Sequence, residues 1–291
     1  MSNFRSVCVF NKSFGLPHSE TPQTNILHEN RDLSKLRIDL CVEEAGELND
    51  AFTTKNFTEI IDALTDELYV AYGAGSSFGV NLDYLFRYRV FKELYQHTAP
   101  QKRALDILTY EKEMDNNLIN MTNYKLLCYV LLKTDTFFTE KRVNIINSDD
   151  IFRETFNTDE YDNISILLDE LHNNITFSIK QLENNKNISS FDGTVNSLVD
   201  ILYHTYKLGI FLGIDLDMSF DIVHRSNMSK LCISEEEAKQ TVENYKLNDK
   251  RYNTPEYRNS DNDKYWVVFN RDTGKILKSI NYNPADFREL F

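Results

Sequence analysis

Apolar residues recur at helical spacing from the start of the chain. Phe4, Val7, Phe10 and Phe14 form one stripe, and Gly15-Leu16-Pro17 ends it. A polar stretch to about Asn30 reads as a loop. From Leu33 to Phe52, the positions Leu36, Leu40, Leu48, Ala51 and Phe52 mark a long amphipathic helix. A short turn over Asn56–Thr58 follows. The next helix is expected to start with Thr58 as its N-cap and Glu59 in its first turn, where the helix dipole favours an acid. It runs through Ile60, Ala63, Leu64, Leu68 and Tyr72 to Gly79, and Leu82 to Tyr95 starts another. Residues 98–160 read as helical without a chemical signal. Within them, Lys125 to Lys133 is strongly apolar, too short to span a membrane, and reads as a buried helix. Near the end, Tyr265–Phe269 and Lys275–Lys278 flank Asn270–Gly274 and read as a β-hairpin, the one sheet expected.

The helical pattern returns later in the chain. Asp66-Glu67-Leu68-Tyr69 through Gly75 is echoed by Asp200-Ile201-Leu202-Tyr203 through Gly209. The same offset of 134 pairs Leu48 with Leu182, Phe57 with Phe191, Gly79 with Gly213 and Asp83 with Asp217, without a gap. One fixed offset over so long a stretch reads as an internal duplication.

Composition supports helices: 9 Gly and 5 Pro in 291 residues are few turn formers for a chain of many short strands. Hydrophobic residues at 41% are enough for a packed core. A net charge of −13 with no compact basic patch argues against a nucleic-acid polymer as partner. Cys8, Cys41, Cys128 and Cys232 form no CxxC pair and have no His at zinc spacing, as expected of thiols in a reducing compartment. With no signal segment and no membrane-length run, the expectation is a soluble, cytoplasmic protein that meets no membrane.

The candidate chemistry is acidic. Glu43 and Glu47 are i,i+4, Glu44 and Glu47 are i,i+3, and Asp62 and Asp66 are i,i+4 on the next helix. Like charges at these spacings repel, and no Lys or Arg lies between Asp39 and Asp50 to offset them. Carboxylate oxygens suit Mg²⁺ or Mn²⁺, and such a site points to metal-assisted attack of water on phosphorus. By charge alone the same pattern also fits a solvated helix face. The neighbouring apolar stretches Leu40-Cys41-Val42 and Ile60-Ile61 weigh against that reading.

Glu43-Glu44-Ala45-Gly46-Glu47-Leu48, followed by Glu59-Ile60-Ile61-Asp62-Ala63-Leu64-Thr65-Asp66-Glu67-Leu68-Tyr69, resembles the all-α nucleoside triphosphate pyrophosphohydrolase superfamily. That group includes the MazG proteins, the dimeric dUTPases, the dCTP pyrophosphatases and phosphoribosyl-ATP pyrophosphohydrolase. Asp221-Ile222-Val223-His224-Arg225-Ser226-Asn227-Met228-Ser229-Lys230 resembles the motif closing such domains, and Thr273-Gly274-Lys275-Ile276-Leu277-Lys278 the tail beyond it. The likeness covers residues from about 4 to 90 and about 176 to 291. Many members carry a Glu where Ala63 stands; the nearby acids here are Glu59 and Asp62.

The resemblance implies an all-α fold and cleavage of a nucleoside triphosphate between the α and β phosphates. The dUTPase or dCTPase type, a phosphoribosyl-ATP-specific member and an inactive nucleotide-binding protein are the alternatives. By the same likeness, Glu44, Glu47, Asp62 and Asp66 would hold Mg²⁺. Glu43 would complete the cluster or orient the attacking water, so that Glu43, Glu44 and Glu47 form the catalytic set. Asn227, Lys230 and Arg225 would touch substrate.

Combined with the offset, this predicts two tandem MazG-like helical bundle repeats forming a pseudo-dimer, with a small C-terminal β-hairpin. Residues 1–97 form the repeat with the intact acids, 98–160 a helical connection, 161–245 a degenerate repeat and 246–291 the tail. The chain itself is expected to be a monomer or a homodimer. The offset maps Glu43, Glu44, Glu47 and Asp62 onto Phe177, Ser178, Gln181 and Asn196, and maps Asn227 and Lys230 back onto Glu93 and Gln96. Each half lacks what the other carries, so one composite site is expected.

Overall fold

The computed structural model describes residues 2–98, 116–135, 158–249, 251–261 and 264–290. The helical connection expected over 98–160 falls largely outside these residues. The fold class is as expected: helices throughout, with a two-stranded antiparallel sheet near the C-terminus among the described residues.

Local capping sets the helix boundaries. The helix α1 (Asn3–Ser13) starts at Ser2, whose hydroxyl accepts from the Arg5 amide. A single turn, α2 (Ile26–Glu29), leads into α3 (Arg31–Thr54), capped by the Asn30 side chain. Next is α4 (Phe57–Phe78), where Asn56, not Thr58, is the cap: its side-chain oxygen accepts from the Glu59 amide at 3.3 Å. An Asn satisfies an N-terminal amide as well as a Thr does, and the left-handed Lys55 before it turns the chain back at once.

Gly79 ends α4 at φ +71°, and a Cβ there would lie 1.9 Å from the Thr21 carbonyl oxygen. The loop before α2 crosses at this point, bonded to the helix end through Ser19 N to Ser76 O and Gln23 N to Phe78 O. Then come α5 (Leu82–Thr98), the short α6 (Asn116–Ile119), α7 (Asn123–Thr134), α8 (Thr158–Asn187) and α9 (Phe191–Leu212). The chain closes with α10 (Leu216–Met228), α11 (Glu235–Asn248), β1 (Pro255–Asn259), β2 (Trp266–Asn270) and a 3-10 turn at Phe287–Leu290.

The apolar stripes decide the packing. α3 packs along α4 and α8 along α9, and the two pairs meet through α4 against α9 and α3 against α8. The buried interior runs from Ile38, Leu48, Ile61, Leu64 and Tyr72 to Leu182, Leu198, Leu202 and Tyr206. Each such side chain contributes about 1.5–3 kcal/mol by leaving water. The Lys125–Lys133 run is buried as expected: α7 lies against α5 and α9, with Leu126, Leu127, Val130 and Leu131 in the core.

Local geometry repeats along the chain. α4 and α9 begin and end 134 residues apart, Lys55 and Ser189 both have φ 55°, and both helices end in a left-handed glycine, Gly79 and Gly213. Gly75 and Gly209 admit Leu82 and Leu216 against the helix backbone, each within 2.6 Å of where a Cβ would stand.

A buried polar network joins the two halves. Asn3 Nδ2 donates to Tyr206 Oη at 2.8 Å and to Asp217 Oδ1 at 2.7 Å. Asn123 Nδ2 donates to Tyr72 Oη at 3.1 Å and to Asp83 Oδ1 at 2.6 Å. The Phe4 amide donates to Asp83 and the Tyr124 amide to Asp217.

The hairpin differs from expectation. β2 pairs antiparallel with β1, which precedes it, and Lys275–Lys278 contributes one bridge, Phe269 to Ile276. The turn between them does close, through Asn270 N to Lys275 O at 2.8 Å. Its second arm then leaves the sheet for α11: the Lys278 amide donates to Tyr245 Oη, the Ile280 amide to Thr241 Oγ1, and Ser279 Oγ to Glu237.

Candidate active site

Helical spacing on two adjacent helices gathers the acids. Glu43, Glu44 and Glu47 lie on the middle of α3; Asp62 and Asp66 lie on the first half of α4, with Glu59 a turn earlier. Glu43's neighbour Glu44 is half-buried and its Oε2 is buried with no hydrogen-bond partner. Burial, then the charges of Asp66, Glu47, Glu43 and Asp62, push the Glu44 carboxyl up to about 8. Burial and Asp62 push Asp66 up to about 7, with Lys230 opposing and Glu47 adding. Asp62 is raised by burial, Glu59 and Glu47. The five acids therefore act on one another across the α3–α4 pair.

Asn227 and Lys230, from the far half of the chain, stand beside α4. The end of α10 lies on α4. Tyr69, one helical turn past Asp66, has its hydroxyl 3.1 Å from His224 Nδ1 and hydrogen-bonded to Asn227. Lys230 Nζ donates to Asn227 Oδ1 at 2.6 Å. Burial lowers Lys230, and Asp66 works against that shift. His224 stacks on Tyr69 and Phe220 and serves this packing.

The structure does not bring Arg225 to the acids. A residue two positions from Asn227 on a helix faces another way. Arg225 pairs with Asp221 at 3.2 Å and with Glu289 at 2.6 Å on the exposed side of α10. It lines a separate cavity of about 670 Å³ beside the Asn3–Asp217 network, away from the acids.

Sequence reasoning missed Glu67 as a site residue. It is fully buried, both its oxygens lack a hydrogen-bond partner, and its carboxyl is pushed well up by burial and by Glu44. The signal was there: Glu67 interrupts the apolar stripe Ile60, Ala63, Leu64, Ala71, and its counterpart at the offset is Ile201. Lys278 and Lys275 lie near enough to Lys230 to act on its charge.

The positions 134 residues beyond the acids hold a different arrangement. Phe177 is exposed, and Asp200 pairs with Arg89 of the first half. The Arg89 guanidinium lies 4.2 Å from the centre of the Tyr203 ring, and Tyr203 Oη donates to Glu93 Oε2 at 2.8 Å. The partner of Asp200 is thus a side-chain cation.

Among the described residues, no three His, Cys, Asp or Glu side chains close into a metal cage. The donor set of Glu44, Glu47, Asp62 and Asp66 is nonetheless all carboxylate oxygen, with one buried oxygen unpartnered. Such a set fits a hard cation like Mg²⁺, which keeps several waters and needs one or two carboxylates plus substrate phosphate. No helix among the described residues is long and apolar enough to cross a membrane.

Residues 7–89 match the family phosphoribosyl-ATP pyrophosphohydrolase. The chain is 34% identical over 294 residues to the uncharacterized protein L479 of Acanthamoeba polyphaga mimivirus, covering 99% of this chain and 95% of the relative. No solved structure matches the chain.

Proposed function

The chain belongs to the MazG-like nucleoside triphosphate pyrophosphohydrolase superfamily, and from that premise we propose that it is a Mg²⁺-dependent enzyme cleaving a (deoxy)nucleoside triphosphate between the α and β phosphates. The products are the nucleoside monophosphate and pyrophosphate. One observation carries the reading: Asp66 of the acidic pair lies in the field of Lys230, which the opposite half of the chain supplies. A carboxylate set for a cation and a lysine for phosphate then face one substrate.

Glu44, Glu47, Asp62 and Asp66 would hold the metal. When bound, Mg²⁺ would neutralise phosphate oxygens and ease deprotonation of a water. The chain's own residues do the rest. Burial and its acidic neighbours push the Glu44 carboxyl up in the metal-free chain, an opposition that a bound cation would relieve. Glu43 orients the attacking water. Water oxygen bonds to the α phosphorus, the bond from that phosphorus to the bridging oxygen breaks, and the bridging oxygen leaves on pyrophosphate. Lys230 meets the phosphate charge, held by Asn227.

The reading includes a duplication with boundaries different from those of the sequence pattern alone. Ser2-Asn3-Phe4 and Thr122-Asn123-Tyr124 each cap a helix, and each asparagine reaches the Tyr–Asp pair of the other half. This exchange supports a second repeat that starts near Thr122, not at 161. The Arg89–Asp200 pair supports a single working site per chain.

The test is a panel of NTPs, dNTPs and phosphoribosyl-ATP, with Mg²⁺ or EDTA, read by pyrophosphate release. Release with Mg²⁺ alone is expected, and Glu47→Gln should lower it by about a hundredfold or more. No release from any nucleotide would leave a binding protein; orthophosphate in place of pyrophosphate would refute α–β cleavage.

A further inference from the structure

Glu67 is a carboxyl without a partner in the middle of the α3–α4 interface. It is fully buried, and neither oxygen has a hydrogen bond. Its stripe on α4 is otherwise apolar: Ile60, Ala63, Ala71 and Ala74 are all buried. The alanines four residues before and after it offer neither a donor nor bulk. The register of the helix pair gives its neighbours on α3. The two helices turn back at Lys55 and Asn56, where Asn56 N bonds to Ala51 O. At the open end, Arg37 Nε donates to Ser77 Oγ at 2.8 Å, and Arg37 Nη1 lies 3.3 Å from where a Cβ on Gly73 would stand. Equal steps from Arg37 and Gly73 toward the turn bring Glu67 level with Glu43, between Cys41 and Glu44. The electrostatics agree with that register: burial and then Glu44 raise the Glu67 carboxyl, and burial, Glu67 and Glu44 raise the Cys41 thiol.

These neighbours cannot satisfy it. The Cys41 thiol donates to the Arg37 carbonyl at 3.5 Å, Arg37 itself is turned to Ser77, and Glu44 carries a buried unpartnered oxygen of its own. Nor does the fold demand an acid here. At the positions 134 residues on, α9 carries Ile201, and α8 carries Ile175 and Ser178 where α3 has Cys41 and Glu44. Both isoleucines are fully buried, and Ser178 Oγ donates to the Asn174 carbonyl. Burying a carboxyl without a partner costs free energy that an isoleucine in a similar setting avoids. A cation offsets that cost by supplying the opposite charge.

We propose that Glu67 is a further ligand of the cation site, an inner carboxylate on the buried side of Glu44. The proposal rests on the metal-dependent reading of Glu44, Glu47, Asp62 and Asp66. Its consequence is the order of loading. Mg²⁺ held by one or two carboxylates usually relies on substrate phosphate for further ligands. With an inner carboxylate, the chain holds its cation before any nucleotide arrives, and the nucleotide meets a site whose acids are already neutralised.

The test is Mn²⁺ binding to the full chain without nucleotide, read by electron paramagnetic resonance of the free ion; Mn²⁺ takes the same oxygen ligands as Mg²⁺. Glu67→Gln keeps size and polarity, and Glu67→Leu replaces the carboxyl with an apolar group of similar volume. Both should weaken Mn²⁺ binding by about tenfold or more. In EDTA, Glu67→Leu should melt above the wild type, by about 2–4 °C or more, because the unpartnered carboxyl is gone, and the same melt establishes that the variant is folded. Mn²⁺ affinities within about twofold of the wild type in both variants would mark Glu67 as a buried acid with no part in the site and overturn the proposal. So would a wild-type chain that binds no Mn²⁺ until nucleotide is added. Because binding is read without turnover, a chain that binds Mn²⁺ through Glu67 yet hydrolyses no nucleotide would refute the catalytic reading and leave the ligand standing.

Discussion

Glu44 occupies its place against electrostatic opposition. Its Oε2 is buried without a partner, and four other acids face it. A carboxyl whose folded pKa is raised binds its proton more tightly in the fold than in the unfolded chain. The stability this confers is fully present below the unfolded value near 4.5 and is lost as pH rises through the folded value. For Glu44 and Asp66 that window closes at about 8 and about 7. The metal-free protein should therefore melt at a lower temperature at pH 8.5 than at pH 6, by about 2–4 °C or more. Glu44→Gln should flatten this dependence and raise the Tm at pH 8.5 while removing turnover. Mg²⁺ should stabilise the wild type more at pH 8.5 than at pH 6, since the acids it would meet are then charged. Differential scanning calorimetry across pH, with EDTA or Mg²⁺, measures all three; a Tm that rises from pH 6 to 8.5 in EDTA would contradict the mutual repulsion.

Helix ends place these residues, and the ends are unequal in what they demand. Gly79 is left-handed and in contact with the crossing loop, whereas Gly274 has a similar φ of +70° with nothing within 4 Å of a Cβ. Strain alone is about 1–2 kcal/mol for an L residue in that conformation. Gly274→Ala should lose about that much. Gly79→Ala must also displace Thr21 and the Ser19 and Gln23 bonds to α4, and should lose about 3 kcal/mol or more. Urea denaturation of both variants compares them. Equal losses would mean that the loop before α2 does not depend on the end of α4. The tail obeys similar logic: the second arm of the turn after β2 follows α11 because Glu237, Thr241 and Tyr245 offer it partners there.

At the scale of the whole molecule, the two helix pairs carry different groups at positions 134 residues apart. α3 and α4 carry the five acids, α10 and the turn after it carry Asn227 and Lys230, and Asp200 of α9 is met by Arg89. Asp66→Asn should lower turnover by about a hundredfold or more. Asp200→Asn, 134 residues on, should change it less than about twofold and cost about 1 kcal/mol or less, because the Arg89 pair is partly exposed to solvent. Steady-state kinetics on the two variants decides between one site and two. A comparable loss in both would mean that each half works.

Much of the site was legible in the chain itself. The spacing of Glu43, Glu44, Glu47, Asp62 and Asp66 puts them on facing stripes of consecutive helices, and that relation depends on nothing beyond helix period and a short turn. The apolar run at Lys125–Lys133 was legible for the same reason. What the sequence could not decide were contacts between segments far apart in it. The period of α10 separates Arg225 from Asn227 by direction, but only its packing on α4 determines which of them meets Tyr69. A β-rich run does not say whether its partner precedes or follows it, because the strand ladder is satisfied either way; the pull of α11 chose the preceding one. That the C-terminal tail lies beside the end of α10 is decided by Ser226 and Ser229, which hold Tyr282 and Asn283 there. The acidic cluster was thus determined by local periodicity, while the lysine that acts on it, Lys230, was brought there by tertiary packing, since charge acts through space and the chain orders residues only along its length.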